Sequence, residues 1–512
     1  MNKKKIIIIG AGPGGLTAGM ILSHRGFDVT IFEKEKNVGG RNAPIFLGNY
    51  RFDTGPTFLM LNFILGEMFE EVGEKAETML SFKMLEPMYR LRFSDKDVFI
   101  YSDNQKMKQE ITKHFLGNEP GLDRFFKYEE KRFRKLFPCL QIPYSTYFKL
   151  LNKNFIKAIP YFSIGNNLFS NLGNYFVDEQ LKLSFTFQAK YIGMSPWECP
   201  AAFTMIPFIE HTYGIYHPIG GLYKISQVMA EIIKNRGGKV FTNTKVKQLI
   251  LDHRTVKGVI LDNGEKVFAD EVVINADFSY AMTNLVPEGV LKKYSKQNIS
   301  KKRFSCSTFM LYLGVKKKYN IPHHNVFFAD DYRRNVENIF KYKVWSEDMS
   351  FYLQNASVTD PTLAPLGKST IYILVPVPNK LNCEINWEKE KNNFADQVLS
   401  KVVQKTELKD LLSNIEVKKI ITPDNWVSEY NVYAGATFNL AHNLGQMLVW
   451  RPRNKFEELE NCYLVGGGTH PGSGLPTIYE SGRITSNLIS KKYGVKFKKP
   501  SPLYTKKQIV AK

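Results

Sequence analysis

The stretch Lys5-Ile6-Ile7-Ile8-Ile9-Gly10-Ala11-Gly12-Pro13-Gly14-Gly15-Leu16, with Asp28-Val29-Thr30-Ile31-Phe32-Glu33 behind it, decides the fold. A short β-branched run after Lys5 has the composition of a strand buried on both faces of a parallel sheet. Glycines interrupt it. Leu16 to His24 then reads as a helix with Leu16, Met20 and Ile21 close to one face, and Asp28 to Phe32 as a second strand that ends at Glu33. Strand, turn, helix and strand in that order make a βαβ unit.

The turn, Gly10-x-Gly12-x-x-Gly15, has the spacing of a phosphate cradle. Gly10 permits the tight turn, Gly12 lets the backbone approach a pyrophosphate, and Gly15 permits close packing of helix on strand. The helix N-terminus then presents free N–H groups and its positive dipole end to phosphate. Glu33 lies 23 residues after Gly10, where a carboxylate accepts hydrogen bonds from adenosine ribose hydroxyls. Such a module holds NAD or FAD, and the adjoining sequence has to separate them.

Two segments follow directly: Val38-Gly39-Gly40-Arg41, and Phe52-Asp53-Thr54-Gly55-Pro56. A glycine pair and an arginine let the chain run along the phosphates and ribityl of a longer cofactor. With these residues the sequence resembles the FAD-binding domain of the flavin amine oxidase and phytoene desaturase superfamily. Further segments carry the resemblance onward. His217-Pro218-Ile219-Gly220-Gly221-Leu222 leads into a strand return that, in the family, places a residue at Val246 on the adenine. Asn275-Ala276-Asp277 closes the β excursion. Leu464-Val465-Gly466-Gly467-Gly468-Thr469-His470-Pro471-Gly472-Ser473-Gly474-Leu475-Pro476 is similar to the flavin-end motif of bacterial and fungal carotenoid desaturases of the phytoene desaturase type. Phe351 to Asp360 with Leu363-Ala364-Pro365 looks like their substrate-domain signature. The likeness runs from Lys5 to about Ile489.

The resemblance implies an α/β fold: a Rossmann-like FAD-binding domain, a discontinuous α+β substrate domain, and a helical membrane-facing part. The expected FAD-binding domain takes residues 1–60, 214–280 and 455–490. The substrate domain takes 61–213 and 281–454, and 491–512 is a basic tail. It implies FAD contacts at Gly10, Ala11, Gly12, Pro13, Gly14, Gly15, Glu33, Lys34, Gly40, Arg41, Gly55, Pro56, Thr57, Val246, Gly467, Gly468, Gly474, Leu475 and Pro476. The implied reaction removes hydrogen across a carbon–carbon bond of a long polyene, phytoene or dehydrosqualene, with hydride passing to the flavin. The alternatives on the same scaffold are a carotenoid oxygenase, isomerase or saturase, and, further off, a flavin amine oxidase. For a general base, His470 and Glu210 are the candidates, with structural roles as the competing reading; Glu480 is a similar case. A single strand-borne GxGxxG leaves no separate nicotinamide site, so oxygen or a quinone is the expected electron acceptor.

Composition is consistent with this. Among 512 residues, 43% are apolar and 23% charged, enough for large cores in two or more domains. Aromatics reach 13%, with 37 Phe and 26 Tyr, which suits either a rich core or a wide apolar channel. The formal net charge of +21 suits an anionic partner, and Lys491 to Lys512 contains eight Lys and no acid. An anionic membrane surface or a solvated tail both fit that segment. From Tyr144 to Phe176, aromatics alternate with Lys149, Lys153 and Lys157, an interfacial pattern that also suits packing within the domain. Five scattered Cys without a CxxC argue against a disulfide framework or a Cys-based metal site. The expected metal content is none, and no nucleic-acid motif appears. Glycines and a proline interrupt Ile6 to Leu22, so the sequence reads as having neither a signal peptide nor a spanning segment. Cytoplasmic placement with peripheral membrane contact is the expectation.

Overall fold

The computed structural model describes residues 3–500. Strand β1 (Lys5–Ile9) lies at the centre of a five-stranded, fully parallel sheet. Its neighbours are β2 (Asp28–Phe32) on one side and Glu271–Ile274 on the other; Lys239–Phe241 and Cys462–Leu464 form the edges. The alternation along β1 is sorted by face. Ile6 and Ile8 join a core with helix α1 (Pro13–His24), while Ile7 and Ile9 join one with the excursion Val246–Asp252, Thr255–Leu261 and Lys266–Phe268. Both faces of the sheet are therefore covered, which is why an unbroken isoleucine run suits its centre.

Helix α1 starts at Pro13, three residues before the start read from the sequence. Proline is at home in the first turn, because its missing N–H is one of the unpaired donors there anyway. The glycines that follow are tolerated in the helix because they are needed for close approach. The last helix spans Leu475–Lys492. It crosses α1 at Gly482, where a Cβ would fall 2.7 Å from Thr17 Cβ and 2.9 Å from the carbonyl oxygen of Gly14.

A second sheet has seven strands, in the order Ile415–Ile421, Ser307–Val315, Ser369–Val377, Phe351–Gln354, His324–Phe327, Tyr89–Arg92 and Asp97–Ile100. All its pairings are antiparallel except that of His324–Phe327 with Tyr89–Arg92. Helix Trp387–Lys405 packs on one face, where Phe309 meets Trp387 and Phe394. The other face carries Met310, Tyr312 and Tyr372 towards the segment around Phe52.

Residues 61–213 supply two strands of this sheet as well as the strand Phe82–Met84, which pairs with Tyr216–Pro218. Tyr89-Arg90-Leu91-Arg92 hides its strand character because Arg90 is buried, held by bidentate bonds to Glu407 at 2.6 and 3.1 Å. The rest of that region is helical, including Glu119–Leu140 and the short pieces Tyr147–Leu151, Lys153–Ala158 and Ile159–Phe162. Among the described residues no helix is long and apolar enough to cross a membrane. Of the basic tail, Lys491 and Lys492 end the last helix, and residues 501–512 lie outside the described residues.

Candidate active site

Three distant segments converge at the C-terminal ends of the central strands: the Gly10–Gly15 turn, Asn275–Asp277 and Gly466–Pro476. Gly10, at φ +95°, donates its N–H to the Phe32 carbonyl at 2.8 Å. Asn275 Nδ2 donates to the Gly10 carbonyl at 3.0 Å. A Cβ at Gly15 would sit 2.3 Å from that same oxygen, so only glycine lets α1 close on the strand. A Cβ on Gly40 would meet Gly12 Cα at 3.3 Å. Two bare backbones thus run side by side at the cavity wall.

Glu33 stands at one end of this cradle. Its Oε2 accepts from the Ala11 N–H at 2.7 Å and its Oε1 from the Glu35 N–H at 3.0 Å. Burial pushes its pKa up, and the two backbone donors oppose that rise. Each oxygen keeps a second lone pair for a ligand hydroxyl. Phe32 stacks on Phe241 at 5.7 Å nearby. Arg41 donates to the Thr437 carbonyl and lies 3.7 Å from Asp277 Oδ2.

The far loop is held from behind by Arg451, which is fully buried and donates to the carbonyls of Thr469 at 3.1 Å and Gly467 at 2.6 Å. Burial lowers its pKa to about 9. Gly474, at φ +112°, is the N-cap of the last helix, so the first turn of that helix opens on the cavity at Leu475 and Pro476. Segment Thr54–Thr57 is latched by three tyrosines of the seven-stranded sheet. Tyr312 donates to the Thr54 carbonyl at 2.6 Å, Tyr372 to the Gly55 carbonyl at 3.0 Å, and Tyr352 to Thr57 Oγ1 at 3.0 Å.

One continuous cavity of about 640 Å³ joins the cradle to an apolar hollow beneath this sheet, walled by Phe187, Tyr191, Phe328, Tyr332, Met310 and Leu374. Of the residues expected at the cofactor, Gly10, Gly12, Pro13, Gly14, Glu33, Lys34, Gly40, Arg41, Gly55, Pro56, Thr57, Val246, Gly467, Gly468, Gly474, Leu475 and Pro476 line it. Ala11 and Gly15 do not. Ala11 is wholly buried with its N–H spent on Glu33, and Gly15 serves the helix–strand contact.

Neither candidate base reaches the cavity wall. His470 is buried with its Nε2 3.2 Å from the Leu140 carbonyl and its ring edge-on to Tyr144 at 4.9 Å. Burial holds its pKa down at about 3. Its place in the glycine loop says nothing about which side the ring takes, and it takes the side away from the cavity. Glu210 lies behind the wall: its Oε2 accepts from Tyr89 at 2.9 Å and Gln188 Nε2 at 3.0 Å, and it is Tyr89 and Tyr191 that line the cavity. Glu480 is an ion-pair partner of Arg483. Unread in the sequence were His324, Lys190 and the three tyrosine hydroxyls. The one available signal was the His323-His324 pair opening an apolar run.

Burial raises the Glu210 carboxyl from 4.5 to about 7. The folded state therefore binds this proton more tightly than the unfolded chain does. The resulting stabilisation is full below pH 4.5 and is lost as the pH rises through 7, to a total on the order of 3 kcal/mol. Glu210→Gln, which keeps the shape and replaces the acid, is expected to flatten that segment of the stability-against-pH curve in urea unfolding. An unchanged slope in the variant would refute the assignment.

The flavin-containing amine oxidoreductase family matches residues 13–490. A 4,4′-diapophytoene desaturase (4,4′-diapolycopene-forming) of Methylomonas sp is 52% identical over 497 residues, covering 97% of each chain. A zeta-carotene-forming phytoene desaturase of Myxococcus xanthus is 33% identical, over 95% of this chain and 94% of its own. Among solved structures, putrescine oxidase bound to putrescine superposes with a TM-score of 0.62 at 13% identity, covering 96% of this chain and 99% of that one, a likeness of fold alone. The chain belongs to the flavin-containing amine oxidoreductase family, with FAD as its cofactor, and within that family to the carotenoid desaturases of the phytoene desaturase type.

Proposed function

We propose that this chain dehydrogenates a long apolar C30 polyene, 4,4′-diapophytoene, to a conjugated product in carotenoid synthesis. The observation that carries the reading is the single cavity in which a phosphate cradle opens into an aromatic hollow. Residues 1–60, 214–280 and 455–490 act as the cofactor domain in this reading, and the intervening segments shape the substrate space. Glu33 takes the adenosine ribose, with Val246 beside the adenine. Gly12, Gly14, Gly40 and Arg41 take the diphosphate. Gly55-Pro56-Thr57 and Gly474-Leu475-Pro476 bracket the ring system. FAD supplies the hydride acceptor when bound. The chain contributes the rest: aromatic walls exclude water and select by length and shape, tyrosine hydroxyls fix Thr54–Thr57, and the helix N-terminus at Leu475 favours negative charge beside it. Reoxidation falls to oxygen or a quinone, since only one strand-borne GxGxxG is present.

A water-insoluble substrate calls for access from a bilayer. Phe148 is 80% exposed, Leu151 70% and Ile164 71%, and Lys149, Lys153 and Lys157 lie among them. No acid occurs between Glu130 and Asp178. This face fits the anionic cytoplasmic surface of a membrane as a peripheral contact.

Expression in cells that accumulate 4,4′-diapophytoene is expected to yield red-shifted pigment with two hydrogens lost per new double bond, read by absorption and mass. Added oxygen in the product would favour the oxygenase alternative, and an unchanged polyene would sink the proposal. Gly12→Val points a side chain into the cradle and is expected to abolish the bound flavin's visible absorption; retained flavin would disprove the cradle. Phe148→Ser with Leu151→Ser is expected to weaken cosedimentation with phosphatidylglycerol vesicles by about tenfold, about 1.4 kcal/mol. Equal binding by wild type and variant would remove this face from the contact.

A further inference from the structure

Within the proposed dehydrogenation, one proton has no acceptor among the residues considered so far. We propose that His324 accepts it, through the unpaired lone pair of its Nε2.

His324 lines the cavity at the first position of strand His324–Phe327 and is 2% exposed. Its Nδ1 is 2.6 Å from the Tyr352 hydroxyl oxygen, and that hydroxyl donates onward to Thr57 Oγ1 at 3.0 Å. A hydroxyl has one hydrogen. With that hydrogen on Thr57, the Tyr352 oxygen accepts from His324, which puts the imidazole proton on Nδ1 and leaves Nε2 bare. Nε2 is buried and has no hydrogen-bond partner. A bare buried nitrogen costs desolvation with nothing in return, unless a ligand in the cavity uses it.

The surroundings hold this base neutral and in place. The Phe58 ring packs edge-on at 5.3 Å and His323 lies 4.3 Å away, centroid to centroid. His323 is spent on its own bonds, to Thr359 Oγ1 at 2.9 Å and from Gln354 Nε2 at 3.1 Å. Behind it, His217 lies 4.9 Å away and pairs with buried Asp360 at 3.1 Å. Burial, then the charge of His217, keeps the pKa of His324 well below the ordinary imidazole value. The free base is therefore present at neutral pH.

Bound FAD would be the oxidant, taking hydrogen with both bonding electrons from one substrate carbon. The adjoining carbon gives its proton to Nε2, and the electron pair of that bond becomes the new π bond. His324 then holds the proton as an imidazolium whose Nδ1–H still donates to Tyr352, and it releases that proton to solvent when the product leaves. None of the residues on this route needs a net charge at rest.

The test uses the FAD-loaded full chain. In ¹⁵N NMR, His324 is expected as the Nδ1–H tautomer with unprotonated Nε2, and Tyr352→Phe is expected to redistribute the tautomers. Under anaerobic conditions, 4,4′-diapophytoene in detergent should bleach the flavin of the wild type. His324→Gln should slow that bleaching by about 100-fold, with flavin content and dithionite reduction unchanged, and added imidazole should restore it in proportion to its free-base fraction. An Nε2–H tautomer, or bleaching by His324→Gln within about threefold of wild type, overturns the assignment. No bleaching by the wild type overturns the substrate reading, and with it this role.

Discussion

Helix α1 approaches strand β1 so closely at Gly15 that a Cβ there would lie 2.3 Å from the Gly10 carbonyl oxygen. The cradle, the crossing of the last helix and the route of the Gly39–Arg41 segment all depend on that contact. Because α1 lies low on the sheet, its first turn opens at the strand ends rather than above them. Because Gly482 also lacks a side chain, the last helix can lie against α1 and bring its own N-terminus to the same place. Two helix N-termini then face one cavity, a placement that suits a doubly phosphorylated, redox-active ligand.

The second constraint is the tyrosine latch. Tyr312, Tyr372 and Tyr352 reach from one face of the seven-stranded sheet to Thr54, Gly55 and Thr57 in turn. The rings of Tyr352 and Tyr372 wall the apolar space while the three hydroxyls satisfy carbonyls and a threonine. The same side chains therefore fix the course of Thr54–Thr57 and part of the wall beside it. Buried Arg451, behind the opposite loop, does the equivalent through carbonyl acceptors alone.

What could be read from the sequence was local. β1, α1, β2 and Glu33 follow within one short stretch, and their chemistry is carried by backbone and by a fixed spacing, so spacing alone identified them. The start of α1 was misplaced because Pro13, Gly14 and Gly15 look like a loop when tertiary packing is left out. Strands Tyr89–Arg92 and Asp97–Ile100 went unread because they are short and carry a buried arginine whose partner, Glu407, is over three hundred residues away. His324 meets Tyr352 only through the register that pairs His324 with Gln354 and Tyr352 with Val326 across the sheet. No spacing in the chain encodes that neighbourhood. His470 was the opposite error, since nearness in sequence to the glycine loop did not decide its direction.

The central sheet has a consequence for the order of synthesis. Its strand order runs from Cys462–Leu464 through Glu271–Ile274 to β1, so one edge, the far loop and the helix covering α1 are all made last. While the ribosome is still producing the middle of the chain, α1 keeps an apolar flank that only Leu475–Lys492 can cover. Domains generally assemble as units as they emerge, and pairings of such long range form slowly. The cavity is therefore closed only after Gly466–Pro476 and the helix that begins there have emerged, about 450 residues behind the cradle they complete.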